Sequence, residues 1–464
     1  MTGPATGRRS LSECVRAGGE LPRELALDVG PMATAPREVV VRPPGSKSLS
    51  NRAVLLAALA SGESRISGAL VDADDARVMI AALRTLGARV EEQGTSLTIH
   101  GVGGRWKPAG GDLRLDLHNA GTATRFLAAA ALVSPAPVTI DGNARMRQRP
   151  IGELTSLLAS LGMRAEFLGT PGFPPVRLTP DGQARARGIL EIPTTQSSQF
   201  ISALLLVAPW LEVGSEGGLS IRLVGEVTSA SYIRMTTDLM QRVGARVETS
   251  RDGREIRVAY GPLGGLELEI EPDASGATCP LAAGAIVPGL SVRVPGLGAG
   301  SLQGDTGFAD LLARMGAKVE RGADFVRVTG TGELRGIDAD LSDMPDAALA
   351  LAAACALARG RSVLTGLRTL RVKETDRIEA LRTELGRVGV KCSALAHDAD
   401  SLMIEPPESL GTGEVVFRTY DDHRMAMSMA LIALRRPGVV IDDPACVGKT
   451  YAGYWRDFAR IVRN

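Results

Sequence analysis

Basic side chains in this sequence are grouped where apolar helices are predicted to begin. In residues 44–52, PGSKSLSNR, Lys47 lies in the predicted first turn, while Ser48 and Arg52 are four residues apart and share a face. A lysine in the first turn opposes the positive end of the helix dipole, which suggests that an anion binds beside it. A capped helix with a solvated lysine is the alternative for this segment taken alone.

A second basic cluster lies in residues 371–377, RVKETDR, where Lys373 and Arg377 are four apart and Glu374 is adjacent. Residues 421–424, DDHR, and residues 147–151, RQRPI, also precede predicted helices. Each segment alone is compatible with an exposed helix face carrying ion pairs. Their recurrence at equivalent points of an internal repeat favours a shared site.

The repeat consists of six alanine-rich helix signals, each opened by small polar or charged residues. Successive openings are 74, 77, 78, 70 and 77 residues apart, at Ser46, Ala120, Ser197, Ser275, Pro345 and Asp422. A second helix signal between copies ends in a hydrophobic residue and a glycine that is predicted to cap the helix, as at Gly87 and Gly162. Helix N-termini carry unpaired N–H groups, so several that converge would bind an anionic substrate.

Composition excludes several other classes of function. The net charge of +1 offers no field for nucleic acid, and no apolar run reaches the roughly 18–20 residues of a membrane helix. The five cysteines are scattered without a C-x-x-C pair, which predicts reduced thiols in a cytoplasmic protein. The four histidines are too dispersed for a metal motif, so neither a metal nor a cofactor is expected.

Two short motifs are not assigned a function. Residues 447–450, VGKT, resemble the end of a phosphate-binding loop, but Asp443 stands where that loop needs glycine. Asp72, Asp74 and Asp75 could form a metal cluster, yet they begin a predicted helix, where the dipole favours acids.

Taken together, the charged segments resemble the 5-enolpyruvylshikimate-3-phosphate (EPSP) synthase family over residues 37–464. One matching string would be weak evidence, whereas eight in the same order are strong. The strings are Pro44–Ser48 with Asn51-Arg52, Asn119–Thr122, Arg149–Ile151, Ser197–Phe200, Gly304-Asp305, Pro345–Ala347, Arg371–Arg377 and Asp422–Ala426.

The resemblance implies an α+β fold: a two-lobed inside-out α/β barrel, or α-β prism, built from six βαβαββ-type repeats, three per lobe. Residues 37–45 with 274–464 would form lobe one and residues 46–273 lobe two, with the chain crossing near Ser46 and Asp273. Residues 1–36, rich in Gly, Pro, Ala and Arg, are predicted to be a disordered N-terminal extension.

The resemblance also implies transfer of the enolpyruvyl group of phosphoenolpyruvate to the 5-hydroxyl of shikimate 3-phosphate, in a monomer that glyphosate would inhibit at the phosphoenolpyruvate site. The implied catalytic residues are Asp346, Glu374 and Lys47. Shikimate 3-phosphate would contact Lys47, Ser48, Arg52, Ser197, Ser198, Gln199, Ser229, Tyr232, Asp346, Thr369 and Lys373. Phosphoenolpyruvate would contact Lys47, Gly121, Arg149, Gln199, Arg377, Arg424 and Lys449.

This chain departs from the family pattern at three positions. Thr369 replaces a usual asparagine, Phe126 a common proline and Asp421 an asparagine. The alternatives are the enolpyruvyl transferase acting on UDP-N-acetylglucosamine, a non-catalytic relative that binds a phosphorylated metabolite, and an RNA-binding relative. The absence of cysteine between Cys14 and Cys279 counts against the first, because that relative carries a reactive cysteine in this region.

Overall fold

The computed structural model describes residues 7–30, 32, 35–110, 113–181, 189–193, 197–212, 217–227 and 229–463. The chain forms two compact units: Met1–Pro44 with Pro272–Asn464, here the terminal unit, and Gly45–Glu271, the central unit. These boundaries lie within two residues of the crossings predicted near Ser46 and Asp273. In the described part of the chain, no helix is both long and apolar enough to span a bilayer.

Helices and strands alternate along both units. The strands are β1 (Arg8–Ser10), β2 (Glu24–Ala26), β3 (Arg37–Val40), β4 (Glu63–Ser67), β5 (Arg89–Gln93), β6 (Ser96–His100), β7 (Leu113–Asp116), β8 (Val138–Asp141), β9 (Met163–Phe167), β10 (Val176–Pro180), β11 (Ile189–Ile192), β12 (Leu219–Leu223), β13 (Val247–Thr249), β14 (Glu255–Val258), β15 (Glu267–Glu269), β16 (Leu290–Pro295), β17 (Lys318–Arg321), β18 (Phe325–Thr329), β19 (Asp338–Asp340), β20 (Ser362–Thr365), β21 (Lys391–Leu395), β22 (Asp398–Glu405), β23 (Val415–Phe417) and β24 (Val439–Asp442). The α-helices are α1 (Leu11–Ala17), α2 (Lys47–Leu59), α3 (Asp74–Thr85), α4 (Gly121–Ala130), α5 (Gly152–Ala159), α6 (Ser198–Val207), α7 (Ala230–Arg242), α8 (Ala274–Ile286), α9 (Phe308–Arg314), α10 (Ala348–Ala356), α11 (Arg377–Gly386), α12 (His423–Ala430) and α13 (Tyr454–Val462).

The strands form six four-stranded sheets, three in each unit. The sheet of the second repeat has the order β7-β8-β10-β9, with β7 parallel to β8 and the other two pairings antiparallel. Four more sheets repeat this pattern, which follows from a βαβαββ unit because the helical crossover gives a parallel pair and the hairpin an antiparallel pair. The predicted α+β repeat fold is confirmed.

Two strands, β3 and β15, pair in a sheet of one unit although the helix that follows each of them in sequence belongs to the other unit. Strand β3 precedes α2 in sequence but pairs in parallel with β16 of the terminal unit. Strand β15 precedes α8 but pairs in parallel with β4 of the central unit. The chain must therefore pass between the units twice to complete both sheets.

The predicted openings at Ser46, Ala120, Ser197, Ser275, Pro345 and Asp422 lie at or within three residues of the first residues of α2, α4, α6, α8, α10 and α12. All 13 residues of α8 and all nine of α10 are buried. Alanine and glycine let helix backbones approach closely, so a core can form in a chain with only 3% aromatic residues. The core of the terminal unit is built around these two helices.

The prediction of a disordered extension over residues 1–36 is wrong for the described part of that segment. Strands β1 and β2, joined by α1, complete the sheet β1-β2-β24-β23. After β24 the chain forms α13 and no hairpin, so β2 takes the antiparallel place beside β24. A capping box between Ser10 and Glu13 starts α1, whose buried Leu11 and Cys14 join the core of the terminal unit. This amphipathic pattern spans only two turns, too short to stand out among Gly, Pro and Arg.

We predict that Leu11→Ala lowers the free energy of unfolding of the terminal unit by about 2–5 kcal/mol, the usual cost of a buried leucine. Leu11 is 2% exposed, whereas the matched control Leu168→Ala removes a side chain that is 51% exposed. Urea unfolding followed by the fluorescence of Trp455, on α13 against which α1 packs, measures the effect. Equal midpoints for both variants would show that α1 does not contribute to the core.

Candidate active site

A buried arginine in the terminal unit binds three carboxylates at once. Arg377 is the first residue of α11, a helix that Asp376 caps, and its side chain is 1% exposed. Its Nε and Nη2 donate to Asp422 at 2.7 and 3.1 Å, and its Nη1 donates to Asp346 Oδ1 at 2.8 Å. Nη2 also donates to Glu374 Oε2 at 3.0 Å. One guanidinium therefore connects α11 to the segments that open α10 and α12.

Three further cations surround these carboxylates. Lys373 Nζ lies 3.3 Å from Asp346 Oδ1, Arg424 Nη2 lies 3.7 Å from Asp346 Oδ2, and Lys449 Nζ lies 3.2 Å from Glu374 Oε1. Arg377, its three carboxylate partners and these three cations together form what we call the Arg377 cluster. Its members are Asp346, Lys373, Glu374, Arg377, Asp422, Arg424 and Lys449. All of the catalytic and phosphoenolpyruvate-binding residues predicted in the terminal unit belong to it.

The loop before α12 is held in an uncommon conformation that places Asp422. Tyr420 and Asp421 have φ values of 57° and 54°, in the left-handed region that non-glycine residues rarely adopt. The buried carboxylate of Glu384 stabilises the loop by accepting from the Tyr420 hydroxyl at 2.7 Å and from the Arg418 N–H at 3.0 Å. Asp422 then caps α12 by accepting from the Arg424 N–H at 2.9 Å.

The cations change the acidity of Asp346. Burial on its own would raise the pKa of this carboxyl, but Lys373, Arg424 and Arg377 hold the pKa well below its usual range, against the opposing charge of Glu374. Asp346 is therefore ionised and a weak base while those cations face it.

In the central unit, Lys47 and Asp75 form a partly buried ion pair. Lys47 Nζ lies 3.3 Å from Asp75 Oδ2, and the two side chains are 16% and 7% exposed. Asp75 lies in the first turn of α3, where the helix dipole favours a carboxylate. The anion beside Lys47 in this structure is therefore a side chain of the protein.

Arg52, 2% exposed, is a buried cation without a carboxylate partner among the described residues. Burial lowers its pKa to about 10. Its guanidinium also lies over the ring of Phe126, 5.2 Å from the centroid. It donates hydrogen bonds only to neutral oxygens, namely Thr236 Oγ1, Ser202 Oγ and the carbonyls of Ser48 and Tyr232. A buried positive charge held by neutral groups is suited to an anionic ligand.

Arg149 packs against the first turn of α4. Its Nη1 lies 3.3 Å from both the carbonyl and the side-chain oxygen of Asn119. A Cβ added to Gly121 would lie 2.4 Å from Arg149 Nη2, so a side chain at this position would displace the guanidinium. Gly121 and Arg149, both predicted from the family resemblance as phosphoenolpyruvate contacts, are therefore neighbours.

The remaining predicted contacts also lie at helix starts. In the central unit, Ser197 caps α6, buried Ser198 follows it, and Gln199 Nε2 donates to Thr122 Oγ1 at 3.2 Å. Ser229 precedes α7 with a φ of 52°, and its carbonyl accepts from the Tyr232 N–H. In the terminal unit, Thr369 lies in the 3₁₀ helix Arg368–Val372, which packs against the 3₁₀ helix of Asp346. The Thr369 hydroxyl is buried and has no hydrogen-bond partner in the described structure.

The sequence does not predict three neighbours of the candidate site residues, because the residues in contact are distant in sequence. Asp422 is predicted only as part of the family string Asp422–Ala426, although its carboxylate accepts two hydrogen bonds from Arg377. Asp75 was considered as a helix start or metal ligand, not as the partner of Lys47. Phe126, predicted only as a departure from proline, contacts Arg52. In the described chain no group of three His, Cys, Asp or Glu residues is placed to bind a metal.

Comparisons with known proteins identify the family of this chain. The model of the family EPSP synthase (3-phosphoshikimate 1-carboxyvinyltransferase) matches residues 33–458. A 3-phosphoshikimate 1-carboxyvinyltransferase from Paraburkholderia phytofirmans is 42% identical over 445 residues, covering 94% of this chain and 99% of the relative. One from Thiobacillus denitrificans is 44% identical over 429 residues, covering 91% and 96%. The structure of an EPSP synthase from Acinetobacter baumannii matches with a TM-score of 0.75 at 27% identity, covering 93% of this chain and 97% of that one.

The fold and these matches define an enzyme of the enolpyruvyl transferase class. The chain belongs to the EPSP synthase family. It transfers the enolpyruvyl group of phosphoenolpyruvate to shikimate 3-phosphate in the shikimate pathway to aromatic amino acids. The resemblance on which the sequence prediction rested is confirmed, and the alternative acting on UDP-N-acetylglucosamine is not supported.

We predict that Arg377→Met lowers the free energy of unfolding by about 3–5 kcal/mol, because it leaves buried carboxylates without their main counter-charge. The matched control is Lys449→Met, whose side chain is 12% exposed and whose partner Glu374 keeps Arg377. The loss for Arg377→Met should shrink as the pH falls toward 4, since the freed carboxylates then take up protons. Urea titrations at several pH values measure this. Equal stability of the two variants at pH 7.5 would contradict a central structural role for Arg377.

Proposed function

We propose that the Arg377 cluster and the helix-start residues of the central unit are the catalytic and substrate-binding groups of this reaction. The observation that carries the proposal is the state of Arg52, a buried cation bonded only to neutral oxygens. A buried cation whose partners are neutral attracts an anion strongly, and both substrates are anions.

Charge supports the same assignment. The two substrates together bring about five to six negative charges, given a second phosphate pKa near 6. The planar forks of Arg52, Arg149, Arg377 and Arg424 suit carboxylate and phosphate oxygens, and Lys47, Lys373 and Lys449 add point charges. In our assignment Ser197, Ser198, Ser229 and Lys373 hold the shikimate phosphate, while Ser48, Arg52, Tyr232, Asp346 and Thr369 hold its ring and carboxylate. Phosphoenolpyruvate contacts Lys47, Gly121, Arg149, Gln199, Arg377, Arg424 and Lys449.

The addition step requires two proton transfers, and the elimination step requires a third. The 5-hydroxyl of shikimate 3-phosphate loses a proton as its oxygen bonds to C2 of phosphoenolpyruvate, and the methylene carbon gains one. The tetrahedral adduct then loses phosphate and a methyl proton, which restores the enol ether. We assign the hydroxyl proton to Asp346 and the methylene proton to Glu374, with Lys47 assisting.

Substrate binding would convert Asp346 into a competent base. The pKa of its carboxyl is held low by Lys373, Arg424 and Arg377. When substrate phosphate and carboxylate groups contact these cations, each cation is shared with a new anion. The pKa of Asp346 then rises toward its ordinary value, so that it accepts the hydroxyl proton only when the substrates are bound.

We also propose a cytoplasmic monomer. All five cysteines are free, and Cys14, Cys279, Cys355 and Cys446 are buried, which suits a reducing compartment. Glyphosate, assigned to the phosphoenolpyruvate site, would lie beside Gly121 and Arg149.

The test is the steady-state release of phosphate from phosphoenolpyruvate in the presence of shikimate 3-phosphate. We expect Lys47→Met and Arg424→Ala each to lower kcat/KM by about 100-fold or more, since each removes a cation that faces developing charge. The matched control is Lys318→Met, which removes an exposed lysine paired with Glu320. Circular dichroism checks that the fold is kept. Near-normal kcat/KM in both site variants would refute the assignment.

A further inference from the structure

Asp305 is a buried carboxylate beside the Arg377 cluster that the proposed reaction steps do not use. It lies in the 3₁₀ helix Gly304–Gly307 and is 3% exposed. Its carboxylate accepts a hydrogen bond from the Ser275 hydroxyl in the first turn of α8. The Ser275 carbonyl in turn accepts from Arg424 Nη1 at 3.2 Å. One residue therefore links Asp305 to Arg424.

The segment that carries Asp305 is fastened to the start of α8 by further bonds. Gln303 Oε1 accepts from the Ala274 N–H at 2.9 Å, and its Nε2 donates to the Pro272 carbonyl at 2.7 Å. Asp273 caps the helix by accepting from the Gly276 N–H at 3.1 Å. The Asp305 segment and the first turn of α8 are thus joined by hydrogen bonds, and Arg424 donates to the Ser275 carbonyl in this first turn.

The charges that act on Asp305 come from three elements. Asp346 lies in the 3₁₀ helix Pro345–Ala347, Asp273 caps α8, and Arg424 lies in α12. Burial and the charge of Asp346 raise the pKa of Asp305 to about 6, while Ser275 and Arg424 oppose the shift. A carboxyl with this pKa is mostly ionised at neutral pH and takes up a proton as the pH falls toward 5.

We propose that Asp305 is a positioning residue that holds Arg424 through Ser275 and couples phosphoenolpyruvate binding to the uptake of one proton. The inference rests on the proposed role of Arg424 in binding phosphoenolpyruvate. An ionised Asp305 competes with the substrate anion for the charge of Arg424. When it takes a proton from solvent, the carboxyl becomes neutral and the competition ends, so anion binding and protonation favour each other.

Asp305→Asn removes the charge but keeps the geometry, because the amide oxygen can still accept a hydrogen bond from the Ser275 hydroxyl. Steady-state kinetics from pH 5 to 8.5 give the ratio of the KM for phosphoenolpyruvate in the natural enzyme to that in Asp305→Asn. We expect a ratio near one at pH 5, rising to about three- to tenfold at pH 8, with kcat within about twofold. The substrate phosphate titrates equally in both enzymes and cancels in the ratio.

Asp310→Asn is the matched control, since it removes an exposed carboxylate of the same unit that pairs with Arg321. Its KM should match the natural enzyme at every pH. Ser275→Ala, which cuts the link while keeping the charge, should raise the KM at every pH. If Asp305→Asn does not fold, Asp305→Ser makes the same comparison without charge.

A ratio that does not change with pH would overturn the coupling. Failure of both uncharged variants to fold would also overturn it, because the proposal requires the neutral state to be compatible with the native fold. The proposed role of Arg424 fails separately, namely if Arg424→Ala leaves the KM for phosphoenolpyruvate unchanged.

Discussion

The terminal unit depends on the buried guanidinium of Arg377. This group donates hydrogen bonds to the carboxylates of Asp346, Glu374 and Asp422. Burying a carboxylate is costly unless it is paired and hydrogen-bonded, and each of these carboxylates meets that need by bonding to Arg377. That requirement fixes where α10, α11 and α12 begin. It also explains the left-handed backbone before Asp422 and the buried Glu384 that stabilises it. The catalytic candidates Asp346 and Glu374 are thus held in place by hydrogen bonds to Arg377.

The same pairing explains how a cluster of cations persists in the absence of substrate. Lys373, Arg424 and Lys449 each face a carboxylate of the cluster, and Lys47 faces Asp75 in the central unit. Under the proposed assignment, substrate anions enter a field that is already oriented, so little reorganisation is needed. Arg52 differs, since its neutral partners leave its charge for the ligand. In this proposal the basicity of Asp346 depends on substrate binding, because an anion that contacts the surrounding cations raises the pKa of that carboxyl.

The sequence was informative wherever a signal was local and repeated. The opening residues of the six core helices follow from small polar residues before alanine-rich runs, and Gly87 and Gly162 adopt positive φ after their helices as the pattern predicts. Ion pairs between distant residues were not predictable in this way. The sequence contains no signal that pairs Lys47 with Asp75 or Arg377 with Asp422, because those contacts depend on how the helices pack. Strands β1 and β2 were missed because their partner β24 lies at the far end of the chain.

The most direct test of this view is the pKa of the Asp346 carboxyl, measured by carbon-13 NMR of labelled aspartate and assigned with Asp346→Asn. Without substrate we expect a pKa well below the usual range for aspartate, because the surrounding cations favour the ionised form. With shikimate 3-phosphate and a non-reacting phosphoenolpyruvate mimic bound, the pKa should rise toward its ordinary value. A pKa that stays depressed in the complex would contradict the proposal that substrate anions activate Asp346 as the base.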